Sequence, residues 1–335
     1  MGSTVQVDRY QSLKIAVILP CYNEELTIRQ VIAEFSAALP EAEIVVCDNN
    51  SSDRTAEIAR AAGATVLFEA YQGKGNAVRR LFNDVDADVY VMADGDVTYD
   101  AGAARGMINR LVSQRLAMVC GARVSEEVEA YRFGHKFGNW MLTGLVRWSF
   151  GDRFRDMLTG YRVFSRQFVK SFPALSNGFE IETELCVHTL RLRLPAAEVD
   201  TVYRARPEGS ASKLNTLRDG FRILRIISRL VRDEKPLEFF SALAALFIVT
   251  AGVLMTPILL TYMETGLVPR FPTLFVAVAL FLTGILGFSI GLTLDTLSRG
   301  RTEARRLAYL SAEKVSPTKA SPPNIKPATY SKWGT

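Results

Sequence analysis

The sequence contains few of the residues that build zinc sites or disulfide frameworks. It has only two histidines, His135 and His188, and they are isolated from each other. None of its four cysteines shows the paired spacing of a zinc site: Cys21, Cys47, Cys120 and Cys186. We therefore expect neither a histidine-rich metal centre nor disulfides, and the free thiols suit a reducing compartment.

Two common nucleotide-binding fingerprints are also missing. Lys74 lies between Gly73 and Gly75, but the first glycine of a Walker loop would fall at Phe68, and Gly75 stands where serine or threonine should follow the lysine. No Gly-x-Gly-x-x-Gly pattern follows the first predicted strand, and no internal repeat is found. These absences exclude a P-loop nucleotidase, a typical dinucleotide-dependent dehydrogenase and a repeat protein.

Charge is absent from residues 239–262 and 271–294. Each stretch is long enough to cross a hydrocarbon core of about 30 Å as a helix. Two such stretches in tandem argue against buried helices of a globular domain. No long apolar segment precedes the first predicted strand, so we expect no signal peptide. The sequence predicts an integral protein of the cytoplasmic membrane.

Basic residues concentrate on both sides of the two apolar stretches. The positive-inside rule therefore predicts that both long arms and both termini are cytoplasmic. The sequence pI is about 9.0, but with this distribution anionic lipid is a simpler partner than nucleic acid. The basic residues are Arg218, Arg222, Arg225, Arg229, Arg232 and Lys235 before the stretches and Arg299, Arg301, Arg305 and Arg306 after them.

Residues 14–121 alternate strand-like and helix-like segments, which predicts a mostly parallel sheet with helices on both faces. Polar clusters follow four of the predicted strands, at residues 20–24, 48–53, 72–76 and 94–96. Each cluster alone is compatible with a turn and a helix cap, as for Asp53. Because the carboxyl ends of parallel strands meet at one edge, we expect the four clusters to line one crevice.

The stretch DVDADVYVMADGDVTYD, residues 84–100, holds two sets of closely spaced carboxylates. Asp84, Asp86 and Asp88 precede an apolar strand, where a solvated turn is expected. Asp94 and Asp96 follow that strand and so lie at the crevice. Their hard oxygen ligands favour Mg²⁺ or Mn²⁺ bridging a diphosphate, and a lysine opening a helix suits a phosphate. A nucleotide with a metal-bound diphosphate fits this set.

Six blocks in order carry a resemblance to a known family: ILPCYNEE, VVCDNNSSDRT, GKGNAVR, ADGD, DMLTGYRVFSR and RPEGSASKL. Together they resemble glycosyltransferase family 2, specifically the dolichol-phosphate mannose synthase-like polyprenyl-phosphate glycosyltransferases, over roughly residues 14–214. The resemblance implies an α/β fold, namely a Rossmann-like nucleotide-sugar-binding domain of the GT-A type followed by a two-helix transmembrane hairpin.

The resemblance also implies roles for individual residues. Donor-binding positions are Pro20, Tyr22, Glu24, Asp48, Lys74, Asp94 and Arg206. Asp94 and Asp96 are the metal-contacting pair and, with Arg123, the catalytic set. Positions expected to hold the acceptor phosphate are Arg123, Arg132, Lys136 and Lys213. Asn49 and Asn50 replace the common Asp-Gly, and Thr98 stands where mannose synthases often have glutamine, so neither the base nor mannose is specified.

The implied reaction is metal-dependent, inverting transfer of a sugar from a nucleotide diphosphate sugar to a polyprenyl phosphate. The resemblance favours uridine diphosphate as the nucleotide, because this family commonly uses it. The predicted parts are a cytosolic glycosyltransferase domain (1–214), a juxtamembrane amphipathic helix (215–236), two transmembrane helices (237–297) and a cytosolic basic tail (298–335). A homo-oligomer is left open.

Three rivals remain open. They are a transferase that uses a lipid-linked saccharide or another membrane acceptor, a non-catalytic scaffold that binds nucleotide sugar, and a processive synthase. The last is disfavoured by the small number of spans. In residues 179–185, Glu180 and Glu184 share one predicted helical face, with Glu182 elsewhere, and they either approach the sugar or lie on a solvated face.

Overall fold

The structure, a computed structural model, describes residues 13–124, 154–204, 232, 235–268 and 270–312. Four of the predicted site residues, Arg132, Lys136, Arg206 and Lys213, lie outside the described residues, as does nearly all of the predicted amphipathic helix.

One mixed sheet of seven strands organises the first part of the described chain, in the order β3-β2-β1-β4-β6-β5-β7. Strand β6 runs antiparallel to both of its neighbours, and the other pairs are parallel. The strands are β1 (Ile15–Cys21), β2 (Glu43–Asp48), β3 (Thr65–Phe68), β4 (Val89–Met92), β5 (Met118–Val124), β6 (Arg162–Ser165) and β7 (Ala196–Val202). The carboxyl ends of six strands and the start of β6 therefore share one edge, which confirms the predicted mostly parallel sheet.

Helices cover both faces of the sheet, because alternate residues of the buried strands point to opposite sides. In β4, Val89 and Val91 belong to one apolar cluster, while Tyr90 and Met92 belong to the other. The helices of this part are α1 (Ile28–Ala38), α2 (Thr55–Ala61), α3 (Lys74–Asp84), α4 (Ala103–Ser113), α5 (Arg166–Ser171) and α6 (Glu180–Arg191).

The sheet opens between β1 and β4. Pairing of β1 with β4 ends at Ile18 and Met92, whereas pairing of β1 with β2 continues to Cys21 and Asp48. Pro20, which has no N–H to donate, lies in β1 beyond the last residue that pairs with β4. The order of strands reverses at this point, and in open α/β sheets ligands bind outside the carboxyl ends of strands at such a switch.

Two long helices form an antiparallel hairpin, α7 (Pro236–Thr265) and α8 (Phe271–Ser311). They contain the two charge-free stretches and are long and apolar enough to cross a membrane. Apart from Pro236 at the start of α7, their buried residues recur every seven positions: Ala244, Ala251 and Ile258 in α7, and Ala277, Gly284, Gly291 and Ser298 in α8. Small residues at this spacing let two helix backbones approach closely.

The hairpin also brings the two charge-free stretches to the same level. A Cβ on Gly291 would lie 2.7 Å from the Cβ of Phe240. The ends of the two apolar stretches, marked by Glu238 and Asp295, therefore differ in height along the hairpin axis by less than one helical turn. Beyond Asp295, α8 continues unbroken to Ser311. The segment assigned from sequence to a basic tail therefore starts as helix.

We predict that Gly284→Leu weakens the hairpin by about 1–3 kcal/mol through overpacking. A Cβ at Gly284 would lie 2.8 Å from Cγ1 of Ile248 and 3.1 Å from the carbonyl oxygen of Ala244. Thermal unfolding in detergent measures the effect. Gly287→Leu is the matched control, because a Cβ at Gly287 meets nothing within 4 Å. Equal melting temperatures for the two variants would contradict the observed packing.

His188 lies in the core, not at a site. Its ring packs edge-on against Phe168 and Phe172, and its Nδ1 is buried with no hydrogen-bond partner among the described residues. Burial, followed by the charges of Arg305 and Arg191, lowers the pKa of His188 to about 3. In the folded protein the ring is therefore neutral throughout the physiological pH range.

This pKa predicts a loss of stability in acid. Below pH 6.5 the imidazole of His188 is protonated in the unfolded chain, whereas in the folded chain it stays neutral until about pH 3. This difference should lower the free energy of unfolding at pH 5 by about 2 kcal/mol relative to pH 8. Denaturant unfolding of the wild type and of His188→Phe, at both pH values, isolates this contribution. A pH dependence that is identical in the two proteins would refute it.

Candidate active site

The turn after β1 is fastened to the loop after β2. The amide of Asn23 donates to Ser51 Oγ at 3.0 Å, and the amide of Glu24 donates to Thr55 Oγ1 at 2.8 Å. In return, Asn23 Oδ1 accepts from the amide of Ser52 at 2.8 Å. Asn23 has a φ of 54°, which asparagine tolerates better than most residues. This turn carries Tyr22 and Glu24 to the open edge of the sheet, ahead of the start of α1 at Ile28.

The loop after β2 contains the two asparagines that depart from the family pattern. Asn49 is buried, its Nδ2 donates to the carbonyl of Tyr71 at 2.7 Å, and its Oδ1 accepts from the amide of Gly73 at 2.6 Å. An aspartate could not donate the first of these bonds. Asn50 has a φ of 60°, in the left-handed region that glycine and asparagine adopt more readily than other residues. Both asparagines therefore shape the loop beside the buried Asp48.

Asp53 has the structural role of a helix cap, which the sequence offered as the alternative to a place in the crevice. Its carboxylate accepts from the amide of Thr55 at 3.0 Å and from the amide of Glu25 at 3.1 Å. It therefore caps the start of α2 and ties that helix to the turn after β1.

Lys74, the first residue of α3, lies at the centre of the crevice. Its Nζ contacts Asp94 Oδ1 and lies 2.5 Å from Glu182 Oε1. The side chains of Lys74 and Glu182 are almost completely buried, and the ammonium also lies over the ring of Phe179. The sequence left open whether Glu180 and Glu184 approach the sugar or lie on a solvated face. Glu182, predicted to lie elsewhere on the helix, is the residue that meets the crevice.

Attraction between opposite charges holds Lys74, Asp94 and Glu182 together. Burial alone would lower the pKa of Lys74, but the charges of Asp94 and Glu182 outweigh it and raise that pKa. Burial raises the pKa of Glu182, and Lys74 partly opposes this. One buried ammonium thus serves two carboxylates, which leaves the group with a negative charge when all three are ionised.

The glycines beside Lys74 have a different role from the expected phosphate loop. A Cβ on Gly73 would lie 2.2 Å from the carbonyl oxygen of Asn177, and a Cβ on Gly75 would lie 2.1 Å from that of Ser176. The amide of Asn76 also points to the carbonyl of Asn177 at 3.3 Å. Protein backbone, not open space, covers the start of α3, and the glycines are required by that close approach.

Asp96 is buried and held by its own loop. Thr98 Oγ1 donates to Asp96 Oδ1 at 2.5 Å and so fixes the orientation of this carboxylate. Between them Val97 has a φ of 62°, which is unusual for a β-branched residue. Strained backbone of this kind persists only where the surroundings enforce it, commonly at functional sites.

Asp94 and Asp96 fit the requirements of Mg²⁺ or Mn²⁺. Both offer carboxylate oxygens at the open edge of the sheet, and Mg²⁺ commonly uses one or two carboxylates together with substrate phosphates and water. Among the described residues, no group of three or more His, Cys, Asp or Glu side chains could form an all-protein metal cage. The donor set therefore suits a metal that a diphosphate completes.

Gly160, in the loop before β6, packs directly against Asp94. A Cβ at this position would lie 2.6 Å from Asp94 Oδ2 and 2.9 Å from Oδ1. Sequence analysis did not single out Gly160, although the DMLTGYR block that contains it was the available signal.

We predict that Gly160→Ala displaces the Asp94 carboxylate and lowers turnover by about 10²-fold, the typical cost of an ångström-scale misplacement. Steady-state transfer assays measure the loss. Gly106→Ala in α4 is the control, because a Cβ there meets nothing within 4 Å, and its turnover should be unchanged. Full activity of Gly160→Ala would show that the position of Asp94 is not critical.

Arg123, at the carboxyl end of β5, is held in a bidentate ion pair. Its Nε and Nη2 donate to the two oxygens of Asp156 at 2.7 and 2.9 Å, and the guanidinium lies over the ring of Tyr203. Asp156 is a second residue that sequence analysis quoted without assigning a role. The pair orients Arg123 at the edge of the sheet that holds Asp94 and Asp96.

A completely buried arginine supports the loop between Asp156 and Gly160. Arg162 donates from Nη2 to the carbonyl of Met157 at 2.7 Å and from Nε to the carbonyl of Thr159 at 3.0 Å. Because these carbonyls and, at Nη1, the sulfur atoms of Met118 and Cys186 accept from its N–H groups, the burial of this cation is tolerated. Arg162 thereby fixes the loop that carries Gly160 onto Asp94.

The structure brings the described members of the predicted site to one edge of the sheet. These are Pro20, Tyr22 and Glu24 after β1, Asp48 at the end of β2, Lys74 before α3, Asp94 and Asp96 after β4, and Arg123 in β5. Glu182, Gly160 and Asp156 join them, and sequence analysis had given none of the three a place there.

Comparison with known proteins gives a consistent family match. The model for glycosyl transferase family 2 matches residues 16–171. Protein RfbJ of Shigella flexneri is 53% identical over 128 residues, which is 38% of this chain and 99% of that protein. Glycosyltransferase AglJ of Haloferax volcanii is 34% identical over 230 residues, 68% of this chain and 75% of that protein.

A third relative and a solved structure extend the match. Dolichyl-phosphate hexose transferase of Haloferax volcanii is 29% identical over 221 residues, 66% of this chain and 95% of that protein. The fold also matches glucosyl-3-phosphoglycerate synthase from Mycobacterium tuberculosis, crystallised with Mn²⁺, uridine diphosphate and phosphoglyceric acid. The TM-score is 0.56 at 24% identity, over 67% of this chain and 79% of that one. This likeness confirms the predicted GT-A-type α/β fold.

Proposed function

Because the chain belongs to glycosyltransferase family 2 and is a nucleotide-sugar glycosyltransferase, we propose a specific reaction for it. The protein transfers one sugar from a uridine diphosphate sugar to a polyprenyl phosphate at the cytoplasmic face of the membrane. Transfer depends on Mg²⁺ or Mn²⁺ and inverts the anomeric centre.

The observation that carries this proposal is the position of Asp94 and Asp96. They follow β4 at the switch point of the sheet, where β1 and β4 separate, and the turn that bears Tyr22 and Glu24 lies at the same opening. We assign Pro20, Tyr22, Glu24 and Asp48 to the nucleoside of the donor and Asp94 and Asp96 to the metal. A bound metal would neutralise the charge that grows on the leaving diphosphate.

Arg123 is proposed to hold the acceptor phosphate, oriented by its pair with Asp156. Arg132, Lys136 and Lys213 are proposed to share this work, and Arg206 is assigned to the donor diphosphate. A phosphate monoester is already an anionic nucleophile at neutral pH, so attack on the anomeric carbon requires positioning but no dedicated general base. A single displacement of this kind converts an α-linked donor into a β-linked product.

The lipid acceptor is supported by the hairpin and by the relatives. Two apolar helices long enough to span a membrane are joined to the domain that holds the crevice, and one relative is named as a dolichyl-phosphate hexose transferase. We propose that residues 1–214, the juxtamembrane segment 215–236 and the tail 298–335 are cytoplasmic, with residues 237–297 containing the two spans.

The test uses the purified protein in detergent with undecaprenyl phosphate, Mg²⁺ or Mn²⁺, and pooled UDP- and GDP-sugars. Mass spectrometry of the lipid fraction should reveal one added hexose or N-acetylhexosamine, and EDTA should abolish the adduct. Nucleotide-sugar binding without an adduct would reject polyprenyl phosphate as the acceptor and favour a lipid-linked saccharide. An α-linked product would reject the single displacement.

A further inference from the structure

The extension of α8 beyond the apolar stretch is attached to the catalytic domain by side chains of α6 and α5. Arg191, the last residue of α6, donates from Nη2 to the carbonyl of Ser298 at 2.6 Å and from Nε to Thr302 Oγ1 at 2.5 Å. Farther along, Gln167 of α5 donates to the carbonyls of Tyr309 and Ala312 at 3.3 and 3.2 Å. Tyr309 also packs against the apolar cluster that contains Tyr90.

The Arg191 contact lies close to the membrane surface. Asp295 is the first charged residue after the apolar stretch. At a rise of about 1.5 Å per residue, Ser298 and Thr302 lie roughly 5 and 11 Å beyond it. A headgroup layer extends roughly 5–8 Å beyond the hydrocarbon core. The bond of the guanidinium to Ser298 therefore lies at the level of the lipid headgroups, and its bond to Thr302 lies just outside that layer.

The same helix that ends at Arg191 reaches the crevice. Glu182, which meets Lys74, is nine residues before Arg191 on α6. This separation corresponds to about 14 Å along the helix axis. One rigid helix therefore links a residue of the crevice, Glu182, to the contact with α8 at Arg191.

We propose that Arg191 is a positioning residue that fixes the catalytic crevice at the height of the acceptor phosphate. It fastens α6 to the cytoplasmic extension of α8, so that the orientation of the domain on its hairpin is set by direct side-chain contact. This inference rests on the proposed function, because it requires an acceptor phosphate that is anchored in the bilayer.

The first test compares two acceptors with the full-length protein in nanodiscs. Arg191→Met keeps much of the side chain's bulk and removes its hydrogen bonds. It should lower kcat/KM for undecaprenyl phosphate by about 10-fold or more, since small misplacements strongly reduce rates. With a short, water-soluble prenyl phosphate, kcat/KM should be unchanged, because that acceptor diffuses to the crevice. An equal loss with both acceptors, or no loss with either, would overturn the proposal.

Arg299→Ala is the matched control for lost positive charge. Arg299 lies one residue after Ser298, is paired with Asp295 of its own helix and is mostly exposed. It should behave like the wild type with both acceptors. An equal defect in Arg299→Ala and Arg191→Met would assign the effect to attraction of anionic lipid and overturn the positioning role.

A second measurement stands apart from turnover. The native cysteines in the described part of the chain are buried, so spin labels can be placed at Leu175→Cys near the crevice and Leu292→Cys in α8, both exposed positions. The wild type should give one narrow distance distribution, and Arg191→Met a broader or shifted one. An unchanged distribution would overturn the inference even if the enzyme uses another acceptor. Failure of undecaprenyl phosphate with the wild type would instead refute the proposed function.

Discussion

Asp96→Asn is expected to lower the rate of sugar transfer by about 10³-fold, equivalent to about 4 kcal/mol of transition-state stabilisation. Asparagine keeps the shape of the side chain and can still accept the hydrogen bond from Thr98 Oγ1. It lacks the negative charge that a divalent cation requires beside the donor diphosphate. The fold should therefore survive while the catalytic metal is held weakly.

The measurement is the initial rate as a function of Mn²⁺ concentration, with calorimetric titration of the UDP-sugar in parallel. Part of the lost rate should return at high Mn²⁺, because the defect lies in metal affinity. Turnover equal to that of the wild type would remove Asp96 from the metal site and with it the central assignment of the proposed function.

Asp86→Asn is the control for that experiment. Asp86 belongs to the carboxylate set before β4, at the opposite edge of the sheet, and its side chain is 63% exposed in an ion pair with Arg166. Exposed ion pairs contribute only about 0–1 kcal/mol to stability. We expect unchanged turnover, and a large loss would reverse the choice between the two carboxylate sets.

Lys74→Met is expected to destabilise the domain by about 3–5 kcal/mol, because it leaves the buried Glu182 and the partly buried Asp94 without their shared cation. For a domain of this size the melting temperature should fall by about 10 °C or more. Methionine retains the length of the side chain, so the loss reports the charge and not a cavity. Mn²⁺ should restore part of the melting temperature if Asp94 is a metal ligand.

Glu182→Gln is the matched comparison. It removes one of the two carboxylates and leaves Lys74 paired with Asp94, so the one positive and one negative charge that remain are balanced. The destabilisation should be clearly smaller than that of Lys74→Met in the same thermal unfolding assay. If the order of the two variants is reversed, the cation is not what holds these groups together.

Much of the site could be predicted from the sequence because its signals are local. A short apolar strand followed by Asp94 and Asp96 determines both the burial of β4 and the edge at which the carboxylates emerge. The same reasoning applies to Glu24 after β1 and Asp48 at the end of β2, because strand ends in a parallel sheet converge by geometry alone. The two long charge-free stretches likewise required only a length and the absence of charge.

Only the tertiary structure could decide which distant residues meet. Glu182 reaches Lys74 from 108 residues away, and Gly160 reaches Asp94 across 66. The side-chain pattern of a helix fixes which residues share a face but not which face meets a crevice, so the sequence could not identify Glu182 among the three glutamates of α6. The antiparallel β6 and the contact of Arg191 with α8 were hidden for the same reason. The sequence by itself determined the chemistry and the strand ends that carry it, whereas packing between distant segments decided how those groups are paired, covered and attached to the hairpin.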